Sequence, residues 1–230
     1  MAGTPADVSR RAVARGAAWA VPAVAVAAAA PAYAASPCQP DTCPDMGFAG
    51  GINRNGWSFR STGSYATGGN QRVGYYASYT PATGRGNCDA ITGGTAAGTI
   101  TNAIVAEADP TNPSPTPTIT YEKTVCLAAG RTYNFAFNYA YYAPNRRAEY
   151  LDAQILNSAG TVVRSANRIT APASSANARG TGILSFQPQS TNCYTFRYYW
   201  TFASTPAYTT DPCDRYANDI GVTAPTVTCQ

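Results

Sequence analysis

From Thr132 to Tyr141 the chain alternates without a break. Tyr133, Phe135, Phe137, Tyr139 and Tyr141 fall on one side, with Thr132, Asn134, Ala136, Asn138 and Ala140 on the other. A second run repeats the pattern, setting Tyr194, Phe196, Tyr198, Trp200 and Phe202 against Thr195, Arg197, Tyr199 and Thr201. Successive side chains of a strand point to opposite faces, so a sustained period of two predicts extended strand in both runs. A buried aromatic removes on the order of 150–250 Å² from water, enough for two such stripes to hold a pair of sheets together while the polar faces meet water. Shorter strands are predicted at 57–65, 72–80, 98–107, 116–127, 148–156, 161–168, 182–187 and 220–229, at the spacing of an antiparallel all-β domain. Asn157-Ser158-Ala159-Gly160 reads as a hairpin turn.

The only helical pattern lies at the start. Ser9-Arg10-Arg11 and Arg15 precede an alanine-rich apolar run from Gly16 to Pro31 and the small-residue site Ala32-Tyr33-Ala34. These features predict an export signal peptide over 1–34, cleaved before Ala35, with no membrane segment left after cleavage. The arginine pair resembles a twin-arginine signal, with Val13 where phenylalanine is usual, so both the twin-arginine and the general secretory routes stay open. Residues 35–230 are expected to form one β-sandwich domain carrying a Pro/Thr-rich loop at 109–118, which holds prolines at 110, 113, 115 and 117. The final Thr226-Val227-Thr228-Cys229-Gln230 reads as a strand end, so the expected location is secreted and extracellular, or loosely envelope-associated.

Charge narrows the partners. Taking Arg10, Arg11, Arg15 and Asp7 away from 16 basic and 12 acidic residues leaves 13 against 11, a balance that gives no nucleic-acid footprint. All seven cysteines, Cys38, Cys43, Cys88, Cys126, Cys193, Cys213 and Cys229, follow the leader. With no histidine and no Cys-x-x-Cys, they read as disulfides of an oxidising compartment rather than as a metal site. Their odd number predicts three bridges and a leftover thiol, or an intermolecular bridge. Pairing Cys193 with Cys213 and Cys88 with Cys126 would tie neighbouring loops, with Cys229 reaching the Cys38/Cys43 pair.

The absence of histidine also excludes Ser-His and Cys-His nucleophiles. A secreted glycoside hydrolase would need two carboxylates facing one cleft, and no pair stands out; Glu149 and Asp152, three apart on a strand, point opposite ways. The reading is therefore non-enzymatic.

Several segments carry a family resemblance: Asn55-Gly56-Trp57-Ser58-Phe59, the run Leu127-Ala128-Ala129-Gly130-Arg131-Thr132-Tyr133-Asn134-Phe135, Gly180 to Phe186, Cys193-Tyr194-Thr195-Phe196, and Asn218-Asp219-Ile220-Gly221-Val222. Their order resembles galactose-binding-like domains, which are common as carbohydrate-binding modules and as appended domains of bacterial surface proteins. The resemblance implies an antiparallel two-sheet jelly-roll sandwich. It also implies a structural calcium ion at the acidic pair before the last strand, here Asn218 and Asp219. Calcium takes six to eight oxygens and this pair has one carboxylate, so Asn218 and Asp219 as plain turn formers is the competing reading.

For function, the outward faces of the two aromatic strands offer Asn134, Asn138, Arg197 and Tyr199. If the strands were neighbours, these would share one polar surface for cell-wall or extracellular polysaccharide; the plainer alternative is a solvated sheet face. Arg146-Arg147 reads likewise as a wall contact or a solvated hairpin tip. A structural envelope or fibre protein is the alternative class, suited by 16 tyrosines and an odd cysteine.

Overall fold

Aromatic stripes this wide need an apolar partner, and in the computed structural model each finds the other across one interior. The structure describes residues 43–48, 50–62, 71–81, 98–108, 118–143, 147–172, 177–203 and 219–230. The leader 1–34, Cys38, Cys88, Cys213, Arg146, Asn218 and 109–117 of the proline-rich loop lie outside them.

The described elements are all strands: β1 (Trp57–Thr62), β2 (Gln71–Tyr79), β3 (Ile100–Ala108), β4 (Thr118–Leu127), β5 (Tyr133–Tyr142), β6 (Glu149–Leu156), β7 (Val162–Ser165), β8 (Ile169–Ala171), β9 (Ala178–Phe186), β10 (Asn192–Phe202), β11 (Asp219–Thr223) and β12 (Thr226–Cys229). One sheet runs β1-β4-β10-β6, with β7 and then β8 along the far edge of β6. The other runs β2-β3-β11-β5, with β12 continuing the line of β11 along β5 and β9 on the other edge of β5. All these pairings are antiparallel, and the chain keeps crossing between sheets, from β3 to β4, β4 to β5, β5 to β6 and β9 to β10. This is a two-sheet jelly-roll sandwich.

Of two expected strands, one is cut short and the other is split. Residues 161–168 turn away after Ser165, and 220–229 is interrupted at Ala224-Pro225, where proline has no N–H to donate to the ladder. The hairpin at 157–160 forms as expected: Asn157 Oδ1 accepts from the N–H groups of Ala159 (3.1 Å) and Thr161 (2.9 Å), and Gly160 takes φ of 76°.

The core is a ring-on-ring contact between sheets. Phe135 of β5 meets Phe196 of β10 at 5.1 Å and Phe137 meets Tyr198 at 5.1 Å, while within the first sheet Trp57 of β1 lies parallel on Tyr121 of the neighbouring β4 at 4.6 Å. The polar tips are satisfied within the interior, as buried tyrosine and tryptophan require. Tyr121 donates to Ile52 O (2.6 Å), Tyr198 to Thr223 O (2.9 Å) and Trp57 Nε1 to Met46 O (2.9 Å). Burial pushes the pKa of both Tyr121 and Tyr198 above the ordinary tyrosine value.

The outward face of the second sheet departs from the expected solvated surface. Ala103, Val105 and Ala140 are buried there in a satellite cluster with Tyr79 and Ile100, flanked by Tyr76. Arg147 also departs from the hairpin-tip reading: it is buried and its Nε donates to Ala203 O.

Cys229 is bridged to Cys43, with Cα atoms 5.9 Å apart. Cys126 is disulfide-bonded, with its partner outside the described residues. Cys193 keeps a free thiol 3.7 Å from Cys126 Sγ, so the expected bridge from Cys193 to Cys213 is not formed. Register places Cys193 directly opposite Cys126 across the β10–β4 ladder.

Candidate functional site: a cleft between two sheet edges

The side chains expected to share a surface are divided by the fold. Asn134 and Asn138 lie on the outer face of β5 in one sheet, while Arg197 and Tyr199 lie on the outer face of β10 in the other. Because the aromatic faces of β5 and β10 are turned toward each other, their polar faces look away on opposite sides of the sandwich. The side-chain carbonyls of Asn134 and Asn138 accept from Ser185 Oγ (2.5 Å) and Thr181 Oγ1 (3.0 Å). Arg197 is tied to Glu122 at 2.7 Å. Of the calcium pair, Asp219 opens β11 and its carbonyl accepts from the Tyr79 hydroxyl at 3.4 Å. Among the described residues, no three aspartate, glutamate, cysteine or histidine side chains gather as a metal site would need.

A cleft of about 640 Å³ opens elsewhere, between the β7–β8 edge of the first sheet and the β9 edge of the second. That volume lies within the range of small-molecule sites, roughly 300–1,000 Å³. Tyr139 and Tyr141, the last two rings of the β5 stripe, line it together with Arg164, Asn167, Arg168 and Ile183. Both rings are half-buried, their planes within 6° of parallel and their centroids 6.4 Å apart.

Glycine in β9 sets this geometry. Gly180 stands opposite Tyr139 and Gly182 opposite Phe137. A β-carbon at Gly180 would lie 2.6 Å from Tyr139 Cζ, and one at Gly182 would lie 2.6 Å from Phe137 Cε2. Without those β-carbons the rings lie flat across the edge strand, and glycine in a strand often marks such an approach.

The arginines have different surroundings. Arg168 grips Asp152 with both Nε (3.0 Å) and Nη2 (2.7 Å), and its guanidinium lies 5.5 Å over the Tyr150 ring. That hydrogen bond raises the pKa of Arg168, with burial opposing it. Arg164 instead spends its Nε on Ser185 O at 3.1 Å, a bridge between the two sheet edges. Burial, and secondarily Tyr139, raises the pKa of Tyr141, which keeps its phenol neutral.

None of the described carboxylates lines the cleft. Glu122 sits between Arg60 (3.6 Å) and Arg197, Asp152 belongs to Arg168, and Asp45 accepts from Gly47 N (2.9 Å) and Asn55 (3.0 Å). Sequence reasoning assigned Tyr139 and Tyr141 to the core and Arg164 to a continuous strand. The available signal was the glycine pair at positions 180 and 182, facing aromatics in an edge strand.

No family model and no curated protein matches this chain. Among solved structures, it is similar to the CBM22-2 xylan-binding domain of Paenibacillus barcinonensis Xyn10C at 11% identity, with 78% of this chain and 94% of that one covered and a TM-score of 0.35. A family 11 carbohydrate-binding module from Clostridium thermocellum, in complex with a mixed-linked tetrasaccharide, gives 12% identity, coverage of 80% and 92%, and a TM-score of 0.34. The enzymatically active domain of a bacteriophage CBA120 tailspike gives 10% identity and a TM-score of 0.39, with 78% of this chain aligned to 20% of that one. Likeness at this level assigns neither ligand nor activity.

Proposed function

We propose that this is an exported, non-catalytic jelly-roll protein that binds carbohydrate at the cell envelope or beyond it, through the cleft between β9 and β7–β8. The observation that carries the reading is the near-parallel Tyr139/Tyr141 pair, half-exposed in a cleft beside Arg164 and Asn167. Sugars present CH faces that lie against aromatic rings and hydroxyls that need fixed polar partners, and this cleft offers both. A cleft wall with no carboxylate among the described residues supports binding over glycosidic hydrolysis. Support for export comes from the leader pattern of residues 1–34 together with a cysteine set suited to an oxidising compartment.

Affinity electrophoresis through gels containing cell-wall or extracellular polysaccharide tests the proposal. Tyr139→Ala combined with Tyr141→Ala is expected to abolish retardation while the circular dichroism spectrum stays native. Retardation lost instead on Arg197→Ala with Tyr199→Ala would move the site to the outer face of the first sheet.

A further inference from the structure

The charged groups of the cleft are unequally divided between cations and anions. Its walls carry two arginines and, among the described residues, no aspartate or glutamate. Arg168 is already neutralised, because both oxygens of the Asp152 carboxylate are taken by its guanidinium and that carboxylate is only 11% exposed. Arg164 is different: no carboxylate among the described residues pairs with it. Its one bond among the described residues, from Nε to Ser185 O, anchors the guanidinium at the rim, and the Nη1/Nη2 end has no partner among them. Around it, the phenols of Tyr139 and Tyr141 and the amide of Asn167 have no hydrogen-bond partner among the described residues. The phenols, the Asn167 amide and the lining hydroxyls of Ser165, Thr170, Thr181 and Ser185 each donate and accept, so any sugar hydroxyl can be met here; what stays unbalanced is the positive charge of Arg164. A guanidinium fork pairs best with a planar or tetrahedral oxyanion.

Resting on the reading of this cleft as the sugar site, we infer that its ligand is an anionic glycan, with a carboxylate or acidic ester oxygen paired to the free end of Arg164 and the sugar face laid against Tyr139 and Tyr141. Arg164 is then the residue that determines specificity, and the tyrosines supply affinity that is indifferent to charge. The neighbouring Arg168–Asp152 pair lends shape without adding net charge.

The test is affinity electrophoresis of the full chain through gels containing polygalacturonate, dextran sulfate or neutral dextran, at low and high salt, with Arg164→Gln, Arg164→Lys and Tyr139→Ala variants. Arg164 is exposed on a short edge strand, and matched thermal melts verify folding. Expected is retention by an acidic polymer and not by dextran, weakened at high salt as the charges are screened. Arg164→Gln should weaken it by about tenfold to a hundredfold, the worth of one charge-assisted contact, with Arg164→Lys in between. Retention by polygalacturonate identifies a carboxylate, and retention by dextran sulfate alone identifies an ester. Equal retention by dextran, unaffected by Arg164→Gln yet lost in Tyr139→Ala, overturns the anionic ligand and leaves the cleft as a sugar site. Retention by no polymer, or retention indifferent to Tyr139→Ala, overturns both.

Discussion

Alanine at Gly180 and at Gly182 makes the same chemical change two residues apart on β9, and the structure separates the consequences. Both glycines have extended backbones that alanine adopts freely, so each substitution gains roughly 0.5–1 kcal/mol by restricting the unfolded chain. At Gly182 the new β-carbon would sit 2.6 Å from Phe137 Cε2 and 2.9 Å from Cε1, well inside the ~3.5–4.0 Å of favourable carbon contact. Phe137 is only 2% exposed and packs on Tyr198 at 5.1 Å, so its ring has nowhere to go. Overpacking costs about 1–3 kcal/mol, and a ring that cannot move puts this site in the upper part, about 2–3 kcal/mol, leaving a net loss of about 1–2.5 kcal/mol. In a domain of this size that lowers the melting temperature by roughly 2–10 °C. At Gly180 the intruded ring is Tyr139, with Cζ at 2.6 Å, but that ring borders the cleft and can swing into it. Gly180→Ala is therefore expected to stay within about 0.5 kcal/mol of the parent while filling the cleft and cutting glycan retention.

Thermal denaturation and affinity electrophoresis on the two variants together decide the matter. Gly182→Ala at or above parental stability would show that Phe137 is not seated on β9. A stability loss at Gly180 equal to that at Gly182 would show that Tyr139 is locked in a closed interior, and the cleft would cease to be a site.

Two further outcomes follow from the covalent and titratable groups. The Cys43–Cys229 bridge spans 186 residues, for which loop-closure entropy sets an upper value of about 5 kcal/mol. Changing both cysteines to alanine should lower the urea midpoint by the equivalent of about 2–5 kcal/mol, and an unchanged midpoint would place the bridge outside the cooperative unit. Tyr121 and Tyr198 have folded pKa values raised by burial, so the stability tied to their neutral phenols is complete below the ordinary value of about 10 and drains away as pH climbs above it. Phenolate absorbance should therefore rise in two stages, the later one coinciding with loss of near-UV dichroism. A single reversible stage in a native fold would contradict the buried placement.

Fold class was legible because an aromatic stripe of period two has one physical use in water: it must be covered. Tyr133, Phe135 and Phe137 in β5 and Phe196, Tyr198 and Trp200 in β10 are buried as the alternation predicts. The partition between sheets was open to the same logic, taken one step further. Two fully aromatic faces satisfy each other best across an interior, as Phe135 and Phe196 do at 5.1 Å, and strands that face one another cannot also lie side by side with their polar faces joined. That step separates Asn134 and Asn138 from Arg197 and Tyr199. The cleft was harder to see, since Tyr139 and Tyr141 continue the core stripe without any change of pattern. Their exposure is set by what stands around them: an edge strand that offers only Gly180 opposite Tyr139 and Ala178 opposite Tyr141, and a first-sheet edge that breaks between β7 and β8 and brings Arg164, Asn167 and Arg168 to the opening. Alternation reports that a ring faces inward along its own strand, whereas enclosure depends on how far the facing sheet extends. A stripe that outruns its cover turns from core into binding surface with no change in composition.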